Sequence, residues 1–128
     1  VPHRRTLTAV RILLGLTATL GSPAITAHEI LRGGGPAVVF LLTFPLSAFG
    51  GAVLGSESAR LRGVSAVPAQ FGATALASVV ATLAQPLVIW SLLDGTELVA
   101  LFVTATPVAF GLAVVFTAVV EGVRVLWR

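Results

Sequence analysis

Gln70 and Gln85 are the only side-chain amides in the apolar stretches of this 128-residue chain. An amide in such a setting must find hydrogen-bond partners. It either bonds a neighbouring helix, for about 0.6 kcal/mol, or lines a polar cavity that receives a solute. The helix-bonding use is the preferred reading for both. Gln85 is the first choice if a polar cavity exists, because Pro86 follows it and disturbs the backbone ladder there. Pro23, Pro45 and Pro107 also fall in apolar blocks, Pro45 and Pro107 near the middle of theirs. Each proline removes a backbone donor and crowds the carbonyl four residues earlier, so each can kink its helix and free a carbonyl at depth. Gln85, Pro45, Pro86 and Pro107 therefore form the candidate polar or kink site. Proline is common in membrane helices, so simple shaping of a bundle is preferred over a transport site.

The charged residues offer less. Glu57 with Arg60 and Glu121 with Arg124 are spaced i,i+3 just beyond apolar blocks, where such pairs are worth about 0.2–0.5 kcal/mol and end helices. With both acids assigned to block ends, no carboxylate is expected inside a span, which disfavours proton-coupled or ion-coupled transport. Arg11, near the start of the first block, is expected to snorkel to the headgroups. His3 and His28 are separated by a whole apolar block, so they cannot share a metal ion within one chain. There is no cysteine, and no HExxH, GxSxG or phosphate-binding loop. An enzyme is not expected, nor a cofactor or a resident metal.

The elements that position these residues follow from composition. Hydrophobic residues make up 56% of the chain and charged ones 10%, and the apolar residues arrive in long blocks. A soluble surface cannot be built from that, and a lipid bilayer is the fitting solvent. The expected fold is an all-α membrane protein, a four-transmembrane-helix bundle with spans at about residues 7–27, 37–55, 67–92 and 98–120. Glycines and Pro36 close the first span, Pro68 sits in the first turn of the third, and Asp94-Gly95-Thr96 makes a turn in which Thr96 can cap the next helix. Trp90 and Trp127 suit membrane interfaces.

The net charge of +3 comes from arginines at block ends, which makes nucleic acid a poor partner. Arg4, Arg5, Arg11, Arg60, Arg62, Arg124 and Arg128 all fall on one side of a four-span chain, with Arg32 opposite. The positive-inside rule then places both termini in the cytoplasm of a multi-pass protein in the cell membrane. A rival reading takes the first block and Ser22-Pro23-Ala24 as a cleaved signal peptide, leaving three spans.

The halves resemble each other. Ala18-Thr19-Leu20 with Pro23 recurs as Ala81-Thr82-Leu83 with Pro86, Ala48-Phe49-Gly50 as Ala109-Phe110-Gly111, and Glu57 with Arg60 as Glu121 with Arg124. The expected unit is a two-helix hairpin, over about residues 1–63 and 64–128, with the copies related by a pseudo-two-fold axis along the membrane normal. Small residues recur every fourth position at Ser47, Gly51 and Gly55, at Ala73, Ala77 and Ala81, and at Ala105, Ala109 and Ala113. That spacing keeps them on one helical face and lets backbones approach closely. Packing within one bundle is the preferred use, and an oligomer interface through Gly51 and Gly55 the sharper one. The function expected is a non-enzymatic membrane subunit that packs against copies of itself or other membrane proteins. A channel or carrier for a small solute is the alternative.

Overall fold

The computed structural model describes residues 2–34, 39–93, 95 and 97–126, with the backbone alone at residues 2–4 and 39–40. It is all-helical, and no strand occurs among the described residues. Helix α1 spans Pro2–Leu31, a π-helical turn covers Val39–Thr43, and α2 (Phe44–Leu61), α3 (Val67–Leu92) and α4 (Leu98–Leu126) follow. Among the described residues three segments, Arg5–Leu31, Val67–Leu92 and Leu98–Leu126, are long and apolar enough to cross a membrane. Helix α2 is not among them, since glycines fill its middle and Glu57 and Arg60 its last turns.

Several boundaries differ from the hydropathy reading for local reasons. Helix α1 continues through His28 and Glu29 to Leu31, because a helix has no need to stop where its sequence turns polar. It ends at Gly33, whose φ of 76° only glycine adopts freely, and the Gly34 N–H closes on the Glu29 carbonyl at 2.8 Å. Pro45 stands in the first turn of α2, directly after the π-helical turn, and not mid-helix as the apolar block suggests. The wider turn accommodates the missing N–H and the ring there. Pro68 also stands in a first turn, that of α3. Gly95 has φ 81°, as a tight turn requires, while the expected Asp94 turn and Thr96 cap lie outside the described residues.

Successive helices run antiparallel. Along the α1–α2 seam, Arg11 meets Glu57 at one end and Ser22 meets Ser47 towards the other. Helices α2 and α3 form the centre, each packed on the other three, and α1 and α4 flank them. Two adjacent glycines make the centre tight. A Cβ at Gly50 would lie 2.7 Å from the Thr19 nitrogen on α1, and one at Gly51 2.6 Å from the Ala77 carbonyl on α3. A Cβ at Gly55 would lie 2.5 Å from that of Ala77. Gly111, which the expected repeat matches to Gly50, has open space beside it instead.

The distribution of polarity is inverted relative to a water-soluble bundle. Leu13, Leu20, Leu76, Val103 and Val114 are exposed, while Ser22, Thr26, Ser47, Thr74, Ser78 and Gln85 are fully buried. Hydrocarbon outside and hydrogen-bonded polar groups inside is the arrangement a bilayer favours.

Candidate functional site: a buried polar seam with a charged end

One face of α3 carries Gln70, Thr74, Ser78, Thr82 and Gln85, and all five are buried. Their spacing, mostly four residues, keeps them on one stripe over the length of the helix. The stripe is offset by one residue from Ala73, Ala77 and Ala81, which are half-buried beside it against Gly51 and Gly55. On α4 the corresponding inward stripe is Ala105, Ala109, Ala113, Thr117 and Glu121. Gly51 and Gly55 of α2 thus meet the alanines of α3, while Ala105, Ala109 and Ala113 of α4 pack against Phe44, Ile89 and Val79.

At one end of the seam Gln85 ties three helices together. Thr26 of α1 donates to Gln85 Oε1 at 2.5 Å, and Gln85 Nε2 donates to Ser47 Oγ of α2 at 2.6 Å. Ser47 also shares a hydrogen bond with Ser22. Both functional ends of the Gln85 amide are therefore used inside the protein. Pro86 is buried beside it, whereas Pro107 is exposed on the outer face of α4 and Pro45 lies at the start of α2. The four members of the expected polar site do not surround a common space. Mid-seam, Ser78 donates to the Ala48 carbonyl at 2.8 Å, so a hydroxyl pins α3 to α2 there too.

The other end is charged, and here sequence reasoning is corrected. Glu57 and Glu121 do not terminate helices in solvent: they are 2% and 3% exposed, inside the bundle. The reason is that α2 and α4 run on past them, to Leu61 and Leu126, and carry both side chains between helices. Glu57 Oε1 accepts from Arg124 Nη2 of α4 at 2.8 Å and from Arg11 Nη1 of α1 at 3.2 Å. Arg60 stands 3.8 Å from Glu57 Oε2 and donates to Thr8 of α1 at 3.3 Å. Arg124 also donates to the Ser56 carbonyl, so the guanidinium expected to pair with Glu121 is committed to α2. Glu121 Oε1 instead accepts from Thr74 Oγ1 at 2.7 Å and Gln70 Nε2 at 3.2 Å. Gln70 Nε2 reaches the Ser56 carbonyl as well, at 3.0 Å. Among the described residues Glu57 Oε2, Gln70 Oε1, Thr117 Oγ1 and Thr19 Oγ1 are buried without a hydrogen-bond partner. Sequence reasoning missed Arg11 and Arg124 as partners of Glu57, because contacts 46 and 67 residues apart leave no local signature. The hydroxyl stripe did have one, the four-residue spacing from Gln70 to Thr82.

Hollows adjoin the seam. A cleft of about 180 Å³ opens between α1 and α4, walled by Leu14, Phe49, Val53 and Val123, with Arg11, Glu57 and Arg124 along it. Phe49 meets Phe116 of α4 edge to face at 5.9 Å near it. A shallower groove of about 530 Å³ runs between α1 and α3, floored by Gly51 and Gly55 and rimmed by Leu54, Leu76 and Val80. At the opposite end of the molecule Arg32 donates to Glu29 at 2.7 Å, and that hydrogen bond, then the charge of Glu29, raises the guanidinium pKa.

No family model, curated protein or solved structure matches the chain.

Proposed function

We propose that the chain is a multi-pass protein of the cell membrane, with α2 as its fourth crossing. It acts without catalysis, as a subunit that packs against copies of itself or other membrane proteins. The observation that carries this reading is the groove floored by Gly51 and Gly55, with Thr19 of α1 on one side and Leu54 of α2 and Leu76 and Val80 of α3 along its apolar rim. In lipid, association depends on close backbone approach and van der Waals contact, which a small-residue floor between leucine and valine rims supplies. The fate of the interior polar groups points the same way, since Gln85, Ser47 and Thr26 are spent on one another.

Native mass spectrometry of the gently solubilised full chain tests it. A homo-oligomer, or a fixed ratio with another membrane protein, is the expected result, and Leu76→Trp in the groove rim is expected to release the companion. A bare monomer would sink the reading. It would move the choice to the second one, a channel or carrier for a small solute, which buried Glu57 and Glu121 favour because acids inside membrane bundles mark ion and proton paths.

Both termini are assigned to the cytoplasm. Arg5, Arg11, Arg60, Arg62 and Arg124 lie on the segments that meet at one end of the bundle, which supports the assignment. A cysteine placed at exposed Ser58 is expected to resist an impermeant maleimide in intact cells; labelling there would invert the topology.

The two hairpins are read as a duplication. Glu57 and Glu121, at matching places in α2 and α4, are both buried, which favours it. An experimental structure in which α1–α2 failed to superpose on α3–α4 would remove it.

A further inference from the structure

The geometry points to a lipid site: we propose that the cleft between α1 and α4 holds an anionic phospholipid, with its phosphate on Arg11, beside the enclosed charge of Arg124, and an acyl chain along Leu14, Phe49 and Val53. Charge is the first reason. Arg11, Arg60 and Arg124 converge on the single carboxylate of Glu57, so the cluster keeps an excess of positive charge. Arg5 and Arg62 lie on helix ends nearby, and Glu121 is turned to Gln70 and Thr74. Unspent donors are the second reason. Arg11 gives only Nη1 to Glu57 and its side chain is 33% exposed, leaving a planar fork of N–H groups for a phosphate.

The walls decide between a lipid and a free anion. Leu14, Phe49, Val53, Val119 and Val123 are all apolar, and Leu14, Val119 and Val123 are exposed on the outer face that hydrocarbon would cover. A soluble phosphate would gain nothing from them, whereas a lipid extends its chain along them while its headgroup meets Arg11. Basic pockets between membrane helices bind anionic headgroups in this way. The inference rests on the membrane reading and not on any oligomer, so a monomer that retained lipid would overturn the packing role and leave this site standing.

The test is native mass spectrometry of the full chain in detergent, with equimolar phosphatidylglycerol and phosphatidylcholine added, then inorganic phosphate as competitor. Phosphatidylglycerol is expected to remain bound at about tenfold lower concentration than phosphatidylcholine. Arg11→Gln is expected to abolish that preference. Leu14→Trp, which leaves the ion cluster intact and fills the acyl path, is expected to weaken retention of phosphatidylglycerol about tenfold. Millimolar phosphate is expected to displace nothing. Equal retention of the two lipids, full retention by Leu14→Trp, or displacement by inorganic phosphate would each overturn the proposal. Arg11→Gln that kept its helical circular dichroism and still preferred phosphatidylglycerol would do so as well.

Discussion

Glu57→Leu is expected to cost about 3 kcal/mol of stability, because it leaves Arg124 and Arg11 facing each other inside the bundle without their shared acceptor. The cost is asymmetric. Arg124 is nearly enclosed, with a side chain 12% exposed, so it cannot recover the lost partner by moving to the headgroups. Arg11 is a third exposed and can snorkel, so Arg11→Leu should cost about 1 kcal/mol or less. Glu57→Leu combined with Arg124→Leu should cost less than the sum of the two changes, since the second removes a charge that the first has orphaned. Unfolding of the detergent-solubilised protein by graded SDS, followed by circular dichroism, reads all four variants. Equal losses for Glu57→Leu and Arg11→Leu would mean that Glu57 is not the hub of the charged end.

Gly51→Leu and Gly55→Leu should each destabilise the bundle by about 1–3 kcal/mol or more, because overpacking at these sites meets backbone. The Cβ alone at Gly51 would lie within 3 Å of the Ala77 carbonyl, the Ala81 Cβ and the Ser78 Cα. None of these is the far end of a flexible side chain, so α2 and α3 must separate. They cannot do so freely, since Ser78 to Ala48 and Gln85 to Ser47 hold the same pair of helices together. Gly111→Leu is the control. Nothing lies within 4 Å of a Cβ there, and the change is expected to alter stability by no more than about 0.5 kcal/mol. The same SDS titration checks the series. A Gly51→Leu protein as stable as Gly111→Leu would show that α2 and α3 do not meet at Gly51.

What the chain reveals of this arrangement before folding depends on the range of the interaction. The limits of α3 and the place of Pro68 are legible, because both follow from an apolar run and a local backbone rule. The end of α1 is less so: His28 and Glu29 look like a loop by polarity, yet they extend a helix already under way. On α3 two stripes with the same spacing lie side by side, alanines at 73, 77 and 81 and polar residues at 70, 74, 78 and 82. Spacing alone does not say which faces inwards. The structure turns the polar stripe fully in and leaves the alanines beside it, because the hydroxyls and amides have partners only there. The charged end was the least legible part. Glu57 and Arg60 form a recognisable i,i+3 pair, but the stronger partners of Glu57 come from α1 and α4, and only the folded chain brings them together.

The poverty of α2 in apolar residues has a consequence for how the protein enters a bilayer. This helix carries Glu57, Arg60 and three glycines, and among the described helices it alone is not apolar enough to cross by itself. During synthesis it emerges after α1 and before α3, when only α1 can offer it a partner. Arg11 neutralises Glu57, and Gly50 seats against Ala18 and Thr19, so the first hairpin can leave the translocation machinery as one unit. Its other faces then wait for α3 and α4. With α2 as the proposed fourth crossing, biogenesis is ordered by the sequence of partners that α2 needs, and a lesion in α1 is expected to be felt first as failure of α2 to insert.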